Sequence, residues 1–258
     1  MSYGISLHPI IPGRAEPSDK AEMVTQLLFG QSYKVLEIQK KWVLIEIIAD
    51  NYTCWIDRKQ HNGLSEKNSE HTDTQNLKRC GDALGRVTDQ NGLRFFIPCG
   101  SPLPAYREGN FSINGQNYEY DGRIARHDSD SVVRHAKRLI HAPYLWGGKS
   151  ALGIDCSGLT QVVMACAGIS IPRDAYQQAT LGEGIDFIAL AQPGDLAFFD
   201  NEEGKIIHVG IILENAKIIH ASGSVRIDTL DHQGIYNDNT KEYSHKLRLI
   251  KRLSLAEV

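Results

Sequence analysis

Cys156 stands in Gly153-Ile154-Asp155-Cys156-Ser157-Gly158-Leu159, just where apolar residues begin to recur at Leu159, Val162, Val163 and Cys166. That spacing predicts a helix from about Cys156 to Ala167, with Gly168 as its stop. The N–H groups of a helix's first turn have no partner inside the helix, and the positive end of its dipole lies there. A thiol at that point is eased toward the thiolate, which is the nucleophilic form. Asp155 or Ser157 can cap the turn, although the charge of Asp155 opposes ionisation of the thiol. A thiol nucleophile needs a base. His208 is flanked by apolar residues in Ile207-His208-Val209-Gly210, and His220 lies in Ile219-His220-Ala221. If these two segments are neighbouring antiparallel strands, His220 comes beside His208 and orients its imidazole. Nucleophile, base and orienting group would then be complete. The same three side chains with one water also suit a catalytic zinc, and the bland alternative is a packed, inert cysteine with two satisfied core histidines. A helix-start cysteine with no second ligand near it in the chain favours the nucleophile. Cys166 falls on the apolar face of the same helix, and Cys54 alternates within a strand.

The elements that must position these residues fall into three stretches. Ser32–Glu37, Trp42–Ile48 and Tyr52–Ile56 are rich in β-branched and aromatic residues and predict a first small barrel. Gly63–Gln75 has almost no apolar residues and reads as a linker. Arg94–Ile97 and the alternating run Phe111–Tyr120, split by Asn114-Gly115, predict a second barrel whose hairpin turns at that pair. Beyond it, Asp130–His141 carries an apolar stripe at helical spacing, capped by Asp128, Ser129 or Asp130. The Cys156 helix follows, and then strands at Asp195–Phe199, Ile206–Leu213, Lys217–His220 and Val225–Ile227. Helices followed by a strand meander make an α+β domain. The expected boundaries are 1–62 for the first barrel, 63–76 for the linker, 77–125 for the second barrel and 126–258 for the α+β domain.

Composition narrows the partners. The 258 residues include 28 Lys+Arg against 31 Asp+Glu, a formal charge of −3, so neither nucleic acid nor an anionic membrane is expected as a partner. No run approaches the ~18 consecutive apolar residues of a membrane span. The first twenty residues lack a charged start followed by an apolar core, so a cytoplasmic location is expected. Five irregularly spaced cysteines without a CxxC pair read as free thiols in a reducing compartment.

Five blocks, Pro143-Tyr144-Leu145-Trp146-Gly147-Gly148, Asp155-Cys156-Ser157-Gly158-Leu159, Pro193-Gly194-Asp195-Leu196-Ala197-Phe198-Phe199, His208-Val209-Gly210 and Ile219-His220-Ala221, together resemble the NlpC/P60 cysteine peptidase family over about residues 126–252. The resemblance implies a papain-like catalytic domain preceded by two small all-β SH3-like barrels, with Cys156 as nucleophile, His208 as base and His220 as the orienting third residue. Pro172-Arg173-Asp174-Ala175-Tyr176-Gln177-Gln178 and Asp50-Asn51-Tyr52-Thr53-Cys54-Trp55 resemble the γ-D-glutamyl-L-diamino acid endopeptidases (dipeptidyl-peptidase VI type) within that family. What that implies is a murein peptide substrate, cut between γ-D-glutamate and the L-diamino acid and bound by its free N-terminal amine, in cell-wall peptide recycling. By the same resemblance Tyr52 and Asp155 hold the amine, Glu22 is a further acidic residue near it, and Tyr144, Trp146, Ser157 and Asp174 line the pocket. Ala175 stands where group members often carry serine, which implies that one hydrogen bond to substrate is missing or replaced by water. No metal or organic cofactor is implied. Two alternatives remain: an exported, wall-acting NlpC/P60 endopeptidase with no free-amine requirement, and a non-catalytic SH3-type binding protein.

Overall fold

A computed structural model describes residues 2–64, 77–128 and 130–253, so the expected linker lies outside the described residues except for Gly63 and Leu64, and so does Ser129. The chain divides into two compact units. The first comprises Met1–Arg126 with Trp146–Ala151, and the second His127–Leu145 with Leu152–Val258.

In the first unit, six strands form one antiparallel sheet in the order β1-β4-β5-β6-β2-β3: β1 (Ser2–Ile5), β2 (Ile10–Arg14), β3 (Met23–Leu28), β4 (Ser32–Ile38), β5 (Trp42–Ile47) and β6 (Thr53–Asp57). The sequence marked only β4, β5 and β6. In β5 every second residue, Val43, Ile45 and Ile47, is fully buried, the period-2 pattern of a strand with one face on the core. These residues pack with Ile11, Leu27, Tyr33, Cys54 and Ile56.

The same unit continues with β7 (Lys78–Arg79), β8 (Leu84–Asp89), β9 (Arg94–Pro98), β10 (Pro102–Leu103), β11 (Asn110–Ile113) and β12 (Gln116–Asp121), and the short β13 (Lys149–Ser150). Four of them pair as β11-β12-β8-β9. Asn114 and Gly115 both have positive φ, +54° and +79°, the backbone that a tight type I′ hairpin requires. Ile5 and Phe29, from the first sheet's segment, are buried in this second core, where Phe29 meets the rings of Phe95, Phe111 and Tyr118. The two β-segments therefore share apolar packing within one unit.

The second unit holds α1 (Ser131–Arg138), β14 (Gly153–Ile154), α2 (Cys156–Cys166), α3 (Ala175–Gln178) and an antiparallel sheet. Its strands are β15 (Glu183–Gly184), β16 (Leu196–Asp200), β17 (Ile206–Leu213), β18 (Lys217–Ser222), β19 (Ser224–Leu230), β20 (Gly234–Asn237) and β21 (Glu242–Arg252), in the order β15-β21-β16-β17-β18-β19-β20. Because β20 also pairs with β21, the sheet closes on itself. α1 is shorter than its apolar stripe suggests. Leu139 N–H bonds back to Ala136, and His141, at φ +70°, sends its N–H to Val225 instead of continuing the helix. α2 matches its predicted span and stops at Gly168, whose φ of +86° no ordinary side chain favours.

Register brings the two strand histidines together. Gly210 on β17 lies opposite His220 on β18, and His208 is two residues back on the same face of β17. A Cβ on Gly210 would lie 2.7 Å from Ile218 Cδ1 and 3.0 Å from His220 Cβ, so glycine is what lets the histidines converge. Gly210→Val is expected to cost about 1–3 kcal/mol through overpacking. A lowered urea midpoint with an unchanged m-value is the sign to look for, and a wild-type midpoint would contradict this packing.

Candidate active site

Cys156 opens α2 and is 7% exposed. Asp155 is the N-cap, and its Oδ1 accepts the Gly158 N–H at 2.6 Å. Behind it lies Arg173, 1% exposed and the largest fully buried side chain among the described residues. Arg173 Nη1 and Nη2 donate to the two carboxylate oxygens of Asp155 at 3.1 and 2.5 Å, and Nη1 also donates to Ser157 Oγ at 2.8 Å. This two-pronged geometry is the strongest form of an ion pair. The guanidinium therefore ties together the residues on either side of Cys156. The buried Gln178 joins the same layer, donating from Nε2 to Ser157 O at 3.1 Å.

The thiol departs from the sequence expectation. It is pushed up to about 11, first by burial and then by the charge of Asp155, against hydrogen bonds from the Val209 and Ser157 N–H groups and the charge of Arg173. The helix start does favour the anion, but removal of the sulfur from water costs more. Val209 directly follows His208, so the sulfur lies against the strand that carries the second expected residue.

His208 and His220 are both buried and joined, Nε2 to Nδ1, at 2.9 Å. His220 Nε2 reaches Asp228 Oδ2 at 3.0 Å, and Arg226 Nε donates to that same oxygen at 2.8 Å. His245 stacks on His208 with ring centres 4.0 Å apart and an interplanar angle of 23°, and Phe199 closes another side at 5.7 Å. Burial first, then the neighbouring His245, His220 and Arg226, hold His208 well below the ordinary histidine range. Burial likewise lowers His245 to about 4, with His220 and Arg226 adding to the effect against Asp228. The resting pair is thus a thiol and a neutral imidazole.

Of the remaining expected residues in this unit, Tyr144 is 37% exposed. Its N–H bonds to Gly223 O at 2.9 Å, and its hydroxyl is raised to about 12 by burial and then by Cys156 and Asp155, with Arg173 opposing. Asp174 caps α3 in a reciprocal box with Gln177, its own N–H donating to Gln177 Oε1 at 3.3 Å. Glu22, Tyr52 and Trp146 belong to the first unit. There Trp146 Nε1 donates to Glu22 Oε1 at 2.6 Å, and Tyr52 packs beside the β1–β6 core.

Asp228, Arg226 and His245 went unmarked in the sequence. Arg226 and Asp228 are alternate residues of β19, a spacing that puts both side chains on one face, and Arg226 is registered against His220. His245 lies in a strand whose polar alternation had not suggested a core-facing ring. Among the described residues no helix is long and apolar enough to cross a membrane.

Comparison with known proteins agrees with this architecture. Residues 141–244 match the NlpC/P60 family, and residues 13–60 match the bacterial dipeptidyl-peptidase SH3 domain. The chain is 28% identical over 214 residues to the gamma-D-glutamyl-L-lysine dipeptidyl-peptidase of Bacillus subtilis (strain 168), covering 76% of this chain and 71% of that protein. It is 28% identical over 254 residues to dipeptidyl-peptidase 6 of Lysinibacillus sphaericus, covering 85% and 88%. The crystal structure of an NlpC/P60 family protein from Bacillus cereus ATCC 10987 superposes with a TM-score of 0.79 over 97% of this chain and 99% of that one, at 20% identity, a likeness of fold. The chain thus contains an NlpC/P60 domain, papain-like in fold, over residues 141–244 and, ahead of it, a bacterial SH3 domain over residues 13–60.

Proposed function

We propose that the protein is a cysteine peptidase that hydrolyses the bond between γ-D-glutamate and an L-diamino acid in murein peptides with a free N-terminal L-alanine, releasing L-Ala-γ-D-Glu during cell-wall peptide recycling. The observation that carries the chemistry is a buried thiol at a helix start against the strand of a histidine that is itself hydrogen-bonded to a second histidine. The names of the relatives, a gamma-D-glutamyl-L-lysine dipeptidyl-peptidase and a dipeptidyl-peptidase 6, support the substrate class.

In this reading Cys156 and His208 start neutral. As Sγ attacks the carbonyl carbon of γ-D-glutamate, His208 takes the thiol proton, so charge separates only in the transition state. N–H groups at the start of α2 face the developing oxyanion. His208 then returns its proton to the leaving amine of the diamino acid. Water, deprotonated by the same imidazole, hydrolyses the thioester and regenerates the thiol. His220 keeps the His208 ring in place. Asp155, oriented by Arg173, is the carboxylate assigned to the substrate ammonium, while Tyr144, Ser157 and Asp174 border the peptide.

Three sets of outcomes test this, the first with two arms. With L-Ala-γ-D-Glu-L-lysine or its diaminopimelate counterpart, Cys156→Ala abolishes cleavage read by mass spectrometry. Acetylating the substrate's amine lowers kcat/KM about 30- to 4,000-fold, the equivalent of the about 2–5 kcal/mol that stranding a buried charge costs. Cleavage of the acetylated peptide at the unmodified rate would remove the free-amine requirement. Second, His208 acts as a base in its neutral form, and its environment lowers it from 6.5. The acid limb of kcat/KM is therefore centred below pH 6.5, and a midpoint at or above that value would exclude His208 as the base. Third, Arg173→Met leaves the buried Asp155 carboxylate without its cation. It is expected to cost about 3–5 kcal/mol in urea unfolding. It also removes a cation that lowers the thiol, so the inflection for iodoacetamide labelling of Cys156 moves above about 11. Stability within about 0.5 kcal/mol of wild type would show that the ion pair contributes nothing.

A further inference from the structure

A neutral imidazole has one N–H, and the 2.9 Å contact between His208 and His220 is compatible with either direction of donation. The direction matters. If His220 Nδ1 donates to His208 Nε2, the proton of His208 sits on Nδ1 and no free nitrogen remains to act as base. If His208 Nε2 donates to His220 Nδ1, His208 Nδ1 is bare.

Asp228 decides between them. Its carboxylate is nearly buried, 7% exposed, and its Oδ2 receives both Arg226 Nε at 2.8 Å and His220 Nε2 at 3.0 Å. Burial alone would raise this carboxyl, but the bonds and charges of His220 and Arg226 outweigh it and keep it below the ordinary aspartate range. An ionised carboxylate can only accept, so His220 Nε2 must carry the hydrogen. His220 Nδ1 is then an acceptor, His208 Nε2 a donor, and His208 Nδ1 the open site.

We propose that Asp228, oriented by Arg226, is a positioning residue that sets the tautomer of His220 and through it leaves His208 Nδ1 free to take the Cys156 proton. This rests on the peptidase reading and extends it by a residue that touches neither substrate nor sulfur. When Sγ bonds to the carbonyl carbon, the thiol proton moves to His208 Nδ1, and the Nε2 proton of His208 stays shared with His220. No proton passes to Asp228, whose charge stabilises the imidazolium at a distance. A merely structural ion pair between Arg226 and Asp228 would have no need to aim its shared oxygen at a buried ring nitrogen.

The test is long-range ¹H–¹⁵N correlation of the histidine rings in the full chain at neutral pH, assigned with single histidine substitutions. The expected wild-type spectrum shows His220 and His208 both protonated on Nε2 and bare on Nδ1. In Asp228→Asn the amide can accept or donate, so the His220 tautomers mix. With the murein tripeptide, kcat is then expected to fall by about 100-fold or more while KM is little changed. Asp228→Glu, still an acceptor-only carboxylate, restores the tautomers and part of kcat. A proton on His208 Nδ1 in the wild-type chain, or an unchanged kcat in Asp228→Asn, would overturn the assignment. The two ideas fail separately. The expected tautomers in a chain that cleaves no murein peptide would remove the peptidase reading and leave the tautomer chain standing. Reversed tautomers in an active chain would remove the role of Asp228 alone.

Discussion

Burial of one sulfur governs the chemistry of the second unit. The Cys156 thiol lies at the positive end of α2, receives two backbone N–H groups and has a guanidinium nearby, yet it stays above an ordinary thiol because water is excluded and Asp155 is adjacent. In such a place a permanent thiolate is too costly, and the neighbouring imidazole is likewise kept neutral. In the proposed mechanism, ionisation therefore occurs during attack and is answered at once by the base. The strand histidines, their partners and the closed sheet that holds them in register all serve that requirement.

Two charged assemblies flank the thiol within this unit. One is the Arg173 fork on Asp155 and Ser157, which holds the start of the helix from behind. The other is the line from Arg226 through Asp228 to His220 and His208, which enters from the sheet. In each, a buried carboxylate is held by an arginine, and its remaining capacity is directed at the helix N-terminus in one and at the second imidazole in the other. Leaving a buried charge without its partner is far costlier than the net worth of the pair. Such assemblies therefore hold geometry stringently, even where they add little to stability. His245 and Phe199 complete the enclosure of His208 with rings.

The sheet makes these meetings possible with simple local rules. Alternation puts His208 and Gly210 on one face of β17, register sets His220 opposite Gly210, and the next hairpin brings Arg226 opposite His220 with Asp228 two residues on. Three consecutive strands of a meander thus supply His208, His220 and the Arg226–Asp228 pair. Only His245 arrives from β21, beyond the turn that closes the sheet.

What could be read from the chain was whatever repeats at short range. The stripe Leu159, Val162, Val163 and Cys166 placed Cys156 at a helix start, the embedded polarity of His208 and His220 in apolar runs marked them as residues with a task, and Asn114-Gly115 announced its hairpin. The joint order of five motif blocks pointed to the family. Strands β1, β2, β3, β8, β20 and β21 and the two-residue strands were missed because their patterns are short or mixed with polar residues, and pairing with other strands makes up the deficit. The tertiary structure alone decided the protonation of the thiol, the burial of Arg173 and the arrival of Asp228 and His245 at the histidines. Each depends on which distant atoms displace water from a side chain, and neither spacing nor composition records that.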